Sequence, residues 1–348
     1  MKYLMSLINN FKRTKTWYNL LFFLIHPLYN LIWQFIINFH GKFLYYLWFF
    51  KKRQKFDFKD NFSLVVKSDP EFVKLANLIN YQYPASKIEY IANERKKSIF
   101  KKKNISDELS NFKFNINDEI SLELKEKILS FVLSQKNLST AANYLKVFPT
   151  ISLISLHINT PVHGNVERGS MIWHKDDYGF KGLDLFLAIN DINYDNGPLY
   201  FLKEYNQLGS FSKIEEVIHN ARAGERNKVD IDVFSKYYPE SKVGVLTGNS
   251  GDALFIDSIS TYHRGGYCKL HNRLMLRVTY QTPDNTRSSV VESEFLQGYS
   301  TDKLKKDLFT NYAIFKKSNK FLRLMGLNKF LIFIYKVLHF KISKKNIF

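Results

Sequence analysis

His174 and Asp176 stand two residues apart at the end of a β-rich run, and a second histidine, His263, follows another such run. Residues two apart on a strand point to the same face. Two imidazoles and one carboxylate, with the rest of the coordination sphere open, form the donor set of a non-haem Fe(II) oxygenase. The imidazoles hold a borderline metal, the carboxylate offsets its charge, and the open positions admit a bidentate co-substrate and dioxygen. Arg273, ten residues past His263, offers a planar two-pronged donor for a distal carboxylate. Each residue alone has a plainer reading: His174 as a hydrogen-bonded core histidine, Asp176 as a strand-end cap. Asp177 competes with Asp176 but faces the other way, and His271 competes with His263. His26, His163 and His219 are read as non-ligands.

These residues belong to a longer order: Trp173-His174-Lys175-Asp176, then Asn196-Gly197-Pro198, Gly251-Asp252-Ala253-Leu254-Phe255, His263-Arg264-Gly265-Gly266 and Arg273. That order resembles the phytanoyl-CoA dioxygenase family of 2-oxoglutarate- and Fe(II)-dependent oxygenases, over roughly residues 170–280. The resemblance implies His174, Asp176 and His263 as iron ligands, and Arg273 as the partner of the 2-oxoglutarate C5 carboxylate. It implies dioxygen as the oxidant and a mainly β chain with flanking helices, built on a double-stranded β-helix or jelly roll. Halogenating relatives carry a small residue in place of the carboxylate, so Asp176 points to hydroxylation. Two departures fall where substrate would sit. The run Leu199–Asn206 lacks the Pro-Gly-Ser-His turn, and Leu183-Asp184-Leu185-Phe186 has Asp where relatives often place Lys.

Four regions are expected to carry this site. Residues 1–55 are apolar and basic, 56–147 mostly helical, 148–285 the catalytic β-helix, and 286–348 end in a basic amphipathic helix. Asp69-Pro70-Glu71 starts a helix. Leu122–Leu133 and Ser139–Leu145 have helical apolar spacing, with Ser139 and Thr140 as candidate caps. Glu94–Lys103 has no apolar period and reads as a loop or solvated face. The core sheet begins near Phe148. Strands are expected at Ile151–Ile158, Ser170–His174, Asp184–Asn190, Leu199–Leu202, Gly244–Leu246, Ala253–Ile256 and Arg273–Tyr280. The stretch Gln207–Ser241 reads as a lid or substrate loop. On the last strand Arg277 shares the face of Arg273, while Leu274, Leu276, Val278 and Tyr280 pack outward. Arg277 then either meets an anionic substrate or pairs with Asp184 or Asp252.

The chain has 348 residues, a net charge of +19 and a single cysteine, Cys268. One cysteine excludes an internal disulfide and any cysteine-based cluster, which fits a reducing, cytoplasmic setting. The basic excess favours a partner with anionic groups, and it gathers at the ends. Thr16–Phe39 holds no Asp, Glu, Lys or Arg and is long enough to span a bilayer. Yet His26, Asn30, Gln34 and Asn38 recur every four residues, favouring a helix lying in an interface over a span, with a helix that packs its aromatic face on the catalytic domain as the alternative. Lys316–Lys345 alternates basic and apolar residues in the manner of a helix on an anionic membrane. The expectation is an enzyme on the cytoplasmic face of a membrane, acting on a small-molecule, acyl or lipid-like substrate. Two other classes compete: a β-helix binding module without turnover, and, ranking lower, a nucleic-acid oxygenase, which would need its basic residues around the site.

Overall fold

The computed structural model describes residues 41–49, 55–58, 62–103, 113–161, 169–176, 181–203, 228–283 and 291–315. Among the described residues, eleven strands form two antiparallel sheets. The larger runs β1 (Ser63–Val66), β9 (Ala253–Ile256), β5 (Gly182–Ala188), β11 (Arg273–Gln281), β3 (Thr150–Asn159), β2 (Lys113–Asn115). The smaller runs β7 (Lys228–Val229), β4 (Trp173–His174), β10 (His263–Gly265), β6 (Leu199–Leu202), β8 (Val243–Leu246). Without the edge strands β1, β2 and β7, the chain visits the sheets in the order large, small, large, small, small, large, small, large. That winding is the double-stranded β-helix.

Side-chain alternation explains the layering. On β3 and β11, Ile154, Leu156, Ile158, Leu274, Leu276, Val278 and Tyr280 face away from the barrel into the main core. They meet Leu44 and Trp48 of α1 (residues 41–49), Phe72 of α2 (Pro70–Gln82), and Leu124 and Ile128 of α4 (Leu122–Val132). α5 (Gln135–Leu145) adds Leu138 and Ala141. Tyr280 also donates its hydroxyl to the Val132 carbonyl. A second cluster lies between the sheets: Phe186, Ala188, Leu254, Ile256 and Met275 from the large one, Leu199, Phe201 and Leu246 from the small one. The outer face of the small sheet is covered by α6 (Ile231–Tyr237), whose Phe234 stacks on Trp173 at 4.0 Å between ring centroids.

Several local expectations change. Asp69 does cap α2, but the cap of α5 is Ser134, with Ser139 and Thr140 buried inside that helix. Glu94–Lys103 is helical, the second half of α3 (Ala85–Lys103); Lys, Glu and Arg form helix without an apolar stripe. Region 56–147 is helical but also supplies β1 and β2 to the large sheet. Gly244–Leu246 and Ala253–Ile256 are strands as expected; β8 pairs with β6 and β9 with β1 and β5, so the turn between them carries the chain across sheets. Of the expected lid, 228–241 is ordered as β7, α6 and the start of a 3-10 turn, and the remainder lies outside the described residues. So do residues 16–39 and 316–345, Asp177, Arg222, Arg226, His26, His163 and His219.

The motif glycines are structural. Gly197 has φ +75, and a Cβ there would lie 2.5 Å from the Gly266 carbonyl oxygen. Only glycine lets this turn close onto β10. In the Gly-Asp motif, Asp252 accepts hydrogen bonds from Ser68 N and Asn249 N and an ion pair from Lys67, which ties the crossover turn to β1.

Candidate metal centre

His174 closes β4 and His263 opens β10, and the two are direct cross-strand partners. Their rings lie 4.3 Å apart between centroids. Asp176 follows β4 and is fixed by its backbone N–H, which donates to the Ser258 carbonyl at 2.8 Å. Asp176 Oδ1 lies 3.7 Å from His174 Nε2, and Oδ2 lies 3.6 Å from His263 Nε2. One donor atom from each of the three residues falls within 4.8 Å of the others.

Both histidines are oriented by the same device. His174 Nδ1 lies 2.7 Å from the carbonyl of Ile172, and His263 Nδ1 lies 3.2 Å from that of Thr261, each two residues upstream. A carbonyl only accepts, so Nδ1 carries the proton and Nε2 presents its lone pair. Burial, reinforced by the neighbouring His263, lowers the His174 pKa to about 3. Burial likewise lowers that of His263. Both rings are therefore neutral donors at neutral pH, the form that binds a metal.

Arg277 is committed within the protein. Its Nη2 donates to Asp176 Oδ2 at 2.6 Å and to Asp184 Oδ2 at 2.7 Å. Asp184 has no exposed surface and also accepts from the Thr279 hydroxyl. This is the ion-pair alternative, extended to a second carboxylate. Asp252 is not its partner and pairs with Lys67.

Arg273 lies one rung further along β11, beyond Met275, and is 3 % exposed. Its Nε and Nη1 have no partner among the described residues. Buried donors are normally satisfied, so a guanidinium left in this state fits an anionic ligand. Sequence reasoning missed a neighbour. Lys113 of β2 and Arg273 of β11 flank Asn159 of β3 in direct register, forming one row across the sheet. Lys113 is solvent-accessible, and its register with Asn159 and Arg273 puts it on the same face of the sheet as that arginine. Burial, then the charges of Arg277 and Arg273, lower its pKa to about 7. The asparagine Oδ1 and the His157 Nδ1 nearby on β3 are also unpartnered. A lysine on a three-residue edge strand, some sixty positions upstream of the motif, gives no local signal.

No protein-family model matches the chain, and no curated protein matches it. Among solved structures it is similar to EctD from S. alaskensis, solved with 2-oxoglutarate and 5-hydroxyectoine. The identity is 13 %, the cover 66 % of this chain and 74 % of that one, and the TM-score 0.40. It is also similar to the epimerase SnoN, solved with Fe3+, alpha ketoglutarate and nogalamycin RO (12 % identity, 65 % and 81 % covered, TM-score 0.38). A third is the non-haem alpha ketoglutarate dependent carbocyclase SnoK (13 % identity, 70 % and 88 % covered, TM-score 0.38). Likeness at this level decides nothing about the chemistry here. The fold stands on the strand order, and the site on its own side chains.

Proposed function

We propose that the chain is an Fe(II)- and 2-oxoglutarate-dependent dioxygenase of the phytanoyl-CoA dioxygenase type, hydroxylating a small-molecule, acyl or lipid-like substrate. The observation that carries this is the convergence of His174 Nε2, His263 Nε2 and the Asp176 carboxylate on one point, with both rings already in the metal-binding tautomer. The donor set suits ferrous iron, leaving coordination positions open. Iron with 2-oxoglutarate and dioxygen supplies the oxidising equivalents that attack an unactivated C–H bond. The protein's own share is binding and orientation. Arg277 holds the Asp176 carboxylate in place through Oδ2, and Asp176 would hold the metal together with His174 and His263. Arg273 and Lys113 bind the distal carboxylate of the co-substrate. Phe186, Leu254, Ile256 and Met275 keep the floor between the sheets apolar.

Attachment to an anionic membrane surface on the cytoplasmic side remains part of this reading. It is supported by the sequence of residues 16–39 and 316–345 alone. Among the described residues no helix is long and apolar enough to cross a membrane.

The test is anaerobic addition of Fe(II) and 2-oxoglutarate to the full chain, followed by visible absorption. The expected result is a weak metal-to-ligand charge-transfer band that saturates with both additions. Absence of a band with both in excess would sink the oxygenase reading and favour a binding module without turnover.

The Lys113 pKa gives this site a pH dependence. A lysine whose pKa is lowered to about 7 is charged below that pH and neutral above it. Affinity for 2-oxoglutarate is therefore expected to be highest below pH 7 and to fall as pH rises through it, with a proton taken up on binding near pH 7. Titrations in buffers of different ionisation enthalpy measure that uptake. Lys113→Met should bind more weakly and lose the uptake; an unchanged pH profile in that variant would remove Lys113 from the site.

A further inference from the structure

A cleft of about 1130 Å³ lies outside the barrel, between helices α2 and α3 on one side and the segments following β5 and preceding β11 on the other. None of its lining residues belongs to the His-Asp-His centre or to the Lys113–Asn159–Arg273 row. We propose that it is a binding site for a neutral saccharide. This proposal does not use the metal centre and stands or falls apart from the oxygenase reading.

The lining chemistry points to that class. Asn77, Asn80, Asn93 and Asn272 line the cleft. A carboxamide offers both donors and acceptors. A sugar hydroxyl also does both, so an array of amides matches a run of hydroxyls with no charge to neutralise. Asn77, Asn80 and Tyr81 share one face of α2, spaced three and four residues apart. Tyr81 is 86 % exposed at the margin, a bare ring against which the C–H face of a pyranose can stack.

The opposite wall is fixed beforehand. Asn190 is held at both ends, Nδ2 donating to the Asn272 carbonyl at 3.1 Å and Oδ1 accepting from Leu274 N at 2.7 Å. Asp191 Oδ1 accepts from Ser250 N at 2.7 Å. A wall that does not reorganise favours binding through weak, numerous contacts.

Charge excludes the main rivals. In a chain of net charge +19, this cleft carries two carboxylates, Glu89 and Asp191, against one ammonium, Lys96. Phosphate, nucleic acid and anionic lipid would all be repelled from a large concavity where basic residues are scarce.

The experiment is saturation-transfer NMR on the full chain with maltotriose, mannotriose and chitotriose, and with inorganic phosphate and a heparin disaccharide as charged probes. Transfer to at least one neutral trisaccharide is expected. Tyr81→Ala and Asn80→Ala should each weaken its binding about fivefold, since an aromatic contact and a hydrogen bond each contribute about 1 kcal/mol. The Fe(II)/2-oxoglutarate band should be unchanged in both variants. The proposal is overturned if no trisaccharide shows transfer, if transfer survives undiminished in both variants, or if only the charged probes bind and Tyr81→Ala or Asn80→Ala removes them.

Discussion

His174→Ala is expected to abolish turnover of 2-oxoglutarate and to lower Fe(II) affinity by more than the roughly 100-fold that loss of an outer partner costs at a metal site. His174 is one of three donors, and its Nε2 is not needed to orient the ring, because Nδ1 makes the hydrogen bond that does so. Its side chain is 14 % exposed, so truncation opens a small cavity in a two-residue strand and leaves both cores intact. Equilibrium dialysis against Fe(II) under argon reads the affinity, and circular dichroism checks the fold. His271→Ala is the control. That histidine lies exposed in the turn before β11, so its loss should leave affinity and turnover as they are. Retention of iron within tenfold of wild type by the His174 variant would show that the three residues are not a metal centre.

Arg277→Met should produce the largest loss of stability. The guanidinium stands between Asp176 and Asp184, and Asp184 is completely buried. Removing one member of a buried ion pair strands the other charge, at about 3–5 kcal/mol. The loss has a ceiling, because Asp184 can take up a proton. Burial already pushes its pKa up, against the pull of Arg277, and without the cation the rise is larger. A carboxyl with a raised folded-state pKa binds its proton more tightly folded than unfolded. Its contribution to stability is then full at pH below the unfolded value and lost as pH rises. Urea denaturation of the metal-free variant should therefore show the deficit at pH 7 and partial recovery on acidification toward pH 5. Arg277→Met with Asp184→Asn should regain most of the loss at pH 7. A variant as stable as wild type at pH 7 would show that the triad of charges is a surface-like pair in solution.

Much of this molecule is written in its sequence, and the remainder is hidden for definite reasons. β3, β5 and β11 are legible because apolar residues recur at every second position, as in Ile154-Leu156-Ile158, Leu183-Leu185-Leu187 and Leu274-Leu276-Val278, and β9 because it is one short apolar run. The cluster of His174, Asp176 and His263 is legible because metal coordination restricts the residue types, and the two-residue spacing on a strand puts two of them on one face. β1 and β2 are not legible: four and three residues long, they owe their existence to neighbours far along the chain. Lys113 is hidden with them. The cap of α5 is ambiguous because Ser134 and Ser139 look alike locally. Only tertiary burial, with Ser139 accepting from the Trp48 indole, tells them apart. The two fates open to Arg277 separate only once Asp184 is known to face it from the next strand.

That last arrangement limits which substitutions this chain can absorb. A lysine placed at 184 would bring a second cation against Arg277, inside the barrel and beside Asp176. Like charges would then stand together where little water screens them. Asp184→Lys is therefore expected to be tolerated only together with loss of the Arg277 charge, so within this fold the two positions act as one lock with two keys.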